Sequence, residues 1–304
     1  KSASQNRILD ELLRRLHARG LIRQSEFSDQ LLAILAEGNR RVTAAGQAIA
    51  LIREVLGNQG VDCRLIKTYK YVDYVTFDID ILVRDSAYVQ AQKILSHYGD
   101  LRDHPGKQSL KQKNIHYCGV KIDLHKGVSW QGSTYLDEDL LWMEPRRVIV
   151  FGEKATVPSA TMELLLNLSH RFNPCISLTK LDLMLMERLS RENIRWELLM
   201  NQASKYGWCR SCSVILSTLD TLCTDIFGSS RFPVTADSAI LAARHAQSLP
   251  FHFPVAFVAK IFIERFRDVG HLPLWDIAYY LFTTGRFYLT ARKRLPYYTD
   301  WYSL

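Results

Sequence analysis

No stretch of this chain is apolar for long enough to span a bilayer. The most apolar one, Phe253 to Phe266, is interrupted by Lys260, Glu264 and Arg265, whereas a spanning helix needs about 20 largely apolar residues. Cysteine is sparse: Cys63, Cys118, Cys175, Cys209, Cys212 and Cys223 are scattered through 304 positions. That excludes a small disulfide-stapled scaffold. Cys209 and Cys212 form one CxxC, and no second pair stands at a spacing that completes a structural zinc site. The thiols are expected to be reduced, several of them buried, in a cytoplasmic protein. No signal peptide is visible, and the first residue is Lys1. Internal repeats, low-complexity tracts and long flexible linkers are missing too.

What is present is an ordinary globular composition, 47% hydrophobic and 23% charged, enough for a sizeable core in one large domain or two smaller ones. The formal net charge is +8 and the pI is about 9.2. A basic excess of this size favours polyanionic partners such as nucleotides, nucleic acid or an acidic membrane surface, without choosing among them. It is also compatible with a basic but otherwise ordinary surface.

Three regions follow one another. Residues 1–60 read as a helical lead-in, with Ile8, Leu9, Leu12, Leu13 and Leu16 at amphipathic spacing and a longer pattern from 28 to 56, expected to break near Gly38 or Gly46. Residues 61–158 hold the strands: 61–66, the alternating 77–83, 115–118 and 120–125 around Gly119, and a small hairpin around Gly152. A helix over 86–98 separates the first two strands from the next pair. Residues 159–304 are helical, opened by Ser159 as an N-cap for 160–172, with further helices expected near 177–191, 195–206, 209–227, 235–248, 254–267 and 273–294. The fold class is therefore α+β: a small mixed sheet between a helical lead-in and a helical C-terminal half.

The chemistry concentrates in the sheet. Side chains two apart on a strand point the same way, so Asp78 and Asp80 project together while Ile79 and Ile81 face the other side. Two adjacent carboxylates repel unless a cation lies between them, and magnesium accepts hard oxygen ligands from one or two carboxylates plus substrate phosphates. On the later strand Lys121, Asp123 and His125 share a side. If the two strands are neighbours, Asp123 reaches the same cluster, and three carboxylates suit phosphoryl transfer with two ions. An Asp-x-Asp also occurs as an edge decoration that discourages aggregation.

The runs Leu65-Ile66-Lys67, Asp78-Ile-Asp-Ile-Leu-Val83 and Lys121-Ile-Asp-Leu-His125 resemble the uncharacterised nucleotidyltransferase-like family of the polymerase-β superfamily. The segments 164–170 and 181–183 are similar to that family's helical half, and the resemblance covers roughly residues 45 to 220. It implies that Asp78 and Asp80 bind the metals, Mg2+ or Mn2+, and that Asp123 completes the triad nearest the acceptor hydroxyl. The implied function is transfer of a nucleoside monophosphate from an NTP such as ATP to an unidentified acceptor. Alternatives of other kinds are an RNA-directed enzyme acting on a tRNA end and an inactive nucleotide-binding protein of the same fold. One departure stands out. Superfamily members typically carry a Gly-Gly or Gly-Ser turn before the acidic strand, where backbone amides approach the triphosphate. Here that place reads Lys67-Thr68-Tyr69. Lys67 and Lys70 are expected to supply charge in its stead, Thr68 a hydroxyl, with His125 beside them.

Around this centre, Lys126, Ser129 and Trp130 form a loop that either shapes an acceptor pocket or packs the sheet. His170, before Arg171, reads as a hydrogen-bonded core histidine or a substrate-facing one. Lys180 and Asp182, two apart on a helix, each pair with other elements. The C-terminal aromatic and basic segment, with Tyr279, Tyr280, Arg286, Phe287, Arg292, Lys293, Arg294 and Trp301, either packs on the body or contacts RNA or an anionic membrane.

Overall fold

The computed structural model describes residues 26–71, 78–102, 112–130, 133–170, 177–178, 180–206, 208–233 and 251–252. The expected helices near 8–16, 235–248, 254–267 and 273–294, Cys175, Arg171 and the C-terminal aromatic and basic segment lie outside these residues.

The described chain is α+β. Helix α1 (Glu26–Gly57) leads into β1 (Cys63–Ile66) and β2 (Asp78–Val83), followed by α2 (Asp85–Ser96) and the strands β3 (Asp100–Arg102), β4 (Gln112–Tyr117) and β5 (Val120–His125). These five strands form one mixed sheet in the order β1-β2-β5-β4-β3. Strand β2 runs antiparallel to β1 but parallel to β5. Beyond the sheet come the short pair β6 (Ser129–Trp130) and β7 (Ser133–Thr134), a 3-10 turn (Glu138–Trp142), the hairpin β8 (Arg146–Val150) and β9 (Glu153–Val157), α3 (Ala160–His170), β10 (Ser177–Leu178), α4 (Lys180–Ser190), α5 (Trp196–Lys205), α6 (Cys209–Phe227) and β11 (Phe251–His252).

The two tight hairpins follow from local sequence. Cys118-Gly119 (φ 48° and 79°) joins β4 to β5, and Phe151-Gly152 (φ 51° and 81°) joins β8 to β9. Positive φ at both central residues is the geometry that matches strand twist, and glycine adopts it without strain. Ser159 caps α3 as expected, its Oγ accepting from the Met162 N–H at 3.4 Å.

Two expectations are corrected. Helix α1 does not break near Gly38 or Gly46; it runs unbroken from Glu26 to Gly57. Gly46 is there for contact: a Cβ on it would lie 2.6 Å from the Phe151 carbonyl oxygen, so the β8–β9 turn seats directly on the helix. The helix expected over 177–191 begins only at Lys180, because Ser177 and Leu178 pair with His252 and Phe251.

The sheet has apolar packing on both faces. On one, Leu65, Ile79, Ile81, Val83, Ile115, Ile122 and Leu124 pack with Ala45, Ala48, Ile49 and Ile52 of α1 and with Ala91 and Leu95 of α2. On the other, Ile66 and Leu82 join Leu164, Leu165 and Leu168 of α3, Leu185 and Leu189 of α4, and Ile215 and Leu219 of α6. Each of the Val, Leu and Ile side chains, taken wholly out of water, contributes about 1.5–3 kcal/mol. The strands are thus pinned from both sides, and the polar residues of the second face are held at the boundary between sheet and helices. Among the described residues five cysteines are free thiols, with Cys212 and Cys223 buried and Cys118 exposed. Among the described residues no helix is long and apolar enough to cross a membrane.

Candidate active site

Strand register brings the carboxylates together. Asp80 on β2 stands opposite Asp123 on β5, Asp78 opposite Lys121, and Leu82 opposite His125. Directly opposed residues share a sheet face. Ile66 of β1 lies beyond Asp80 on the same row, and Asn114 of β4 lies beyond Asp123. The whole row faces away from α1. The physical cause is local: Ile79, Ile81, Ile122 and Leu124 take the buried apolar face, so the alternate residues take this one.

One carboxylate oxygen each of Asp80 and Asp123 and a ring nitrogen of His125 lie within 4.8 Å of one another. His125 Nε2 is 2.8 Å from Asp80 Oδ1. The Lys67 ammonium is 2.9 Å from the same oxygen. Lys121 Nζ donates to Asp123 Oδ2 at 2.7 Å and lies 3.7 Å from Asp78 Oδ2. The tight group therefore contains His125, where the sequence pattern pointed to Asp78. Asp78 is the outermost carboxylate, its side chain 41% exposed against 15% for Asp80 and 5% for Asp123.

The charges are strongly coupled. Burial alone would raise the Asp80 pKa, but Lys67 and the hydrogen bond from His125 outweigh it, and the carboxyl sits well below the usual range. Asp123 goes the other way. Its burial, reinforced by neighbouring Asp80, exceeds the effect of its bond with Lys121 and holds it above the ordinary value. Burial disfavours the charge on Lys67 and Lys121, yet their carboxylate partners keep both pKa values raised, so both remain cationic.

The arrangement fits a divalent cation. Asp123 Oδ1 is buried and has no hydrogen-bond partner, an orphan that normally signals a missing partner. It is a hard carboxylate oxygen beside a second carboxylate, the donor set magnesium or manganese takes.

The turn without glycine adopts the conformation glycine would permit. Lys67 has φ 57° and Tyr71 φ 61°. A left-handed residue with a side chain costs about 1–2 kcal/mol. The expected phosphate contacts of the turn divide. The Lys67 ammonium lies in the cluster. Thr68 is buried, its Oγ1 accepting from the Asp80 N–H at 3.1 Å and donating to the Ile66 carbonyl at 3.2 Å, so its hydroxyl ties the turn to β2. Lys70 is buried against the helical half, its Nζ donating to Asn167 Oδ1 at 2.9 Å. Thr68 and Lys70 are therefore turned inward by the demand that buried polar groups find partners.

Other expected residues sit nearby. Lys126 pairs with Asp85 at 3.2 Å, its Nζ 5.9 Å from the centre of the Tyr88 ring. Ser129 and Trp130 form β6. His170 ends α3, Lys180 opens α4 and Asp182 is buried there. Sequence reasoning missed Asn114, Glu163 and Asn167. The signal for the last two was present: they are polar, four apart, inside an otherwise apolar helix. An apolar cleft of about 470 Å³, lined by Ile49, Ile52, Leu65 and Ile81, opens on the opposite face of the sheet and contains none of these residues.

Two carboxylates thus lie in register on neighbouring parallel strands, with the helical half packed on that face of the sheet. The chain belongs to the family described as "Uncharacterised nucleotidyltransferase", which matches residues 1–223. No curated protein matches it. Two solved structures are similar at low identity. A nucleotidyltransferase-like antigenic protein from Paracoccidioides brasiliensis is 10% identical with a TM-score of 0.39, over 66% of this chain and 97% of that one. The nucleotidyltransferase toxin MenT4 from Mycobacterium tuberculosis is 12% identical with a TM-score of 0.32, over 91% and 97%.

Proposed function

We propose that the protein transfers a nucleoside monophosphate from an NTP to a hydroxyl or phosphate acceptor with the help of a divalent cation. The observation that carries this reading is the in-register pair Asp80 and Asp123, with the buried Asp123 Oδ1 unpartnered.

Asp80 and Asp123, with Asp78 beside them, are the residues that would hold magnesium or manganese, which would neutralise charge on the departing pyrophosphate and acidify the attacking hydroxyl. The chain's own residues do the rest. Lys67 and Lys121 are fixed cations at the carboxylate edge, suited to the negative oxygens of a triphosphate. His125 orients Asp80 through its 2.8 Å contact. The Asp123 carboxylate takes the acceptor's proton as the acceptor's oxygen attacks the α-phosphorus. The bond from the α-phosphorus to the bridging oxygen then breaks, and pyrophosphate leaves.

The test is incubation with each α-labelled NTP, magnesium or manganese, and cell extract, followed by identification of the labelled product as RNA, protein or small molecule. A labelled product that vanishes in Asp80→Asn supports the reading. Nucleotide binding with no labelled product in any mixture would leave a nucleotide-binding protein instead. Retention on an RNA column that weakens steeply with salt would favour an RNA acceptor.

A further inference from the structure

The cleft on the other face of the sheet takes no part in this chemistry. Strand β1 is an edge of the five-stranded sheet, and α1 and the β8–β9 hairpin stand around that edge. Arg53 of α1 donates from Nη1 to the Lys154 carbonyl at 3.4 Å, which ties the helix to the hairpin. The space left between them is about 470 Å³, inside the range of about 300–1,000 Å³ found for small-molecule sites. Its apolar lining is aliphatic, with Ile49, Ile52, Leu65, Ile81, Val148 and Ile149. No aromatic ring lines it among the described residues, so a flat base has nothing to stack on. Its charged lining is of one sign: Arg53, Arg147 and Lys154, with no carboxylate. Arg53 is partly neutralised by Glu153 at 3.4 Å. Arg147 and Lys154 are exposed, and neither side chain has a hydrogen-bond or ion-pair partner among the described residues. Lys154 stands directly opposite Ile149, and Arg147 opposite Thr156, so the two cations share one face of the hairpin. Ile149 lies between them on that face and is 60% exposed.

We propose that this cleft binds a fatty-acid carboxylate, with the acyl chain on the aliphatic floor and the carboxylate held by Arg147 and Lys154. An acyl chain asks only for apolar surface, because the force that buries it is non-directional. The guanidinium of Arg147 offers the planar fork that takes a carboxylate in two parallel hydrogen bonds, and the Lys154 ammonium adds a point charge. Two cations without carboxylate partners call for an anion, and the ringless lining selects an aliphatic body over an aromatic one. The cleft lies on the face of the sheet opposite Asp80 and Asp123, so the proposal does not rest on the functional reading above.

The experiment is calorimetric titration of the full chain with decanoate, below the concentration at which it forms micelles. Decanol and decyltrimethylammonium are titrated beside it; they carry the same chain with no charge and with a positive one. Decanoate should bind at least about tenfold more tightly than either, as expected for a charge-assisted hydrogen bond to its head. That margin should vanish in the double variant Arg147→Gln, Lys154→Gln, with folding checked by circular dichroism. The place of binding is read from thiols: Cys63 lines the cleft, whereas Cys118 is exposed and does not line it. Decanoate at about ten times its dissociation constant should slow alkylation of Cys63 about tenfold by mass action and leave Cys118 unchanged. No binding of decanoate, equal binding of the three compounds, or unchanged Cys63 alkylation with decanoate bound overturns the proposal. A margin that survives in the folded double variant overturns it too. If the double variant does not fold, the three titrations and the Cys63 reading on the parent decide.

Discussion

Asp80 and Asp123 stand directly opposite each other on two parallel strands, and both lean on cations: Asp80 on Lys67 at 2.9 Å and Asp123 on Lys121 at 2.7 Å. A pair of carboxylates at this spacing is stable only while positive charge sits between or beside them. In the proposed reaction, metal binding, nucleotide binding and the local conformation are therefore linked.

Replacing Asp80 with Asn should weaken binding of manganese by at least about tenfold, because a charged oxygen is exchanged for a neutral one. Asp78→Asn should have a smaller effect, since Asp78 is the outermost of the three. Calorimetric titration of manganese decides this, and equal affinity in parent and Asp80→Asn would remove Asp80 from the metal site.

Lys67 combines a charge with a strained backbone. Lys67→Ala and Lys67→Gly should both reduce nucleotide affinity markedly, since both lose the ammonium. They should differ in stability: Gly should be about 1 kcal/mol more stable than Ala, because only glycine adopts φ near +57° without strain. Urea denaturation separates them. Equal stability would show that the strain is relieved elsewhere.

Asp123 faces the acceptor side in the proposed reaction. Asp123→Asn should lower turnover by roughly two orders of magnitude or more, as loss of a general base does, and spare most nucleotide affinity. A group used chiefly in the transition state shows in turnover rather than in ground-state binding. The comparison is a nucleotide titration beside a transfer assay. A collapse of binding as large as in Asp80→Asn would mean that both carboxylates serve one binding cluster.

Glu163 gives a pH-dependent prediction. Burial, only partly opposed by Lys70, Arg146, Asn167 and the Lys67 N–H, raises its pKa from 4.5 to about 7. A raised folded-state value means that the unfolded chain releases this proton first. The stability that protonated Glu163 contributes is thus fully present below pH 4.5 and lost as pH rises through 7. Thermal unfolding of the parent should fall progressively behind Glu163→Gln across that window and run level with it below. A constant difference at every pH would show that Glu163 titrates normally.

Much of the site was legible in the sequence because strand alternation is local. A period of two places Asp78 with Asp80, and Lys121 with Asp123 and His125, whatever the rest of the chain does. The hairpin at Cys118-Gly119 and the cap at Ser159 are equally local. Gly46 misled because a helical glycine has two explanations, a break or a close approach, and only the position of the Phe151 carbonyl chooses between them. The burial of Thr68 and Lys70 was not legible, because burial is invisible in a short polar run. Both belong to the turn by sequence, yet one is tied to β2 and the other to Asn167.

The sequence by itself determined which residues share a face, where the tight turns fall and that carboxylates gather on one face of the sheet. These are consequences of backbone periodicity and side-chain type over a few residues. The tertiary structure decided the rest. Only parallel pairing of β2 with β5 sets Asp80 opposite Asp123, only that register brings His125 onto Asp80, and only the packing of α3 against the sheet carries Asn167 to the Lys70 ammonium. Those contacts join segments far apart in the chain. They form because apolar burial on both faces of the sheet fixes the strands in one register, and the polar groups left at the boundary must then find partners among whatever has been brought near.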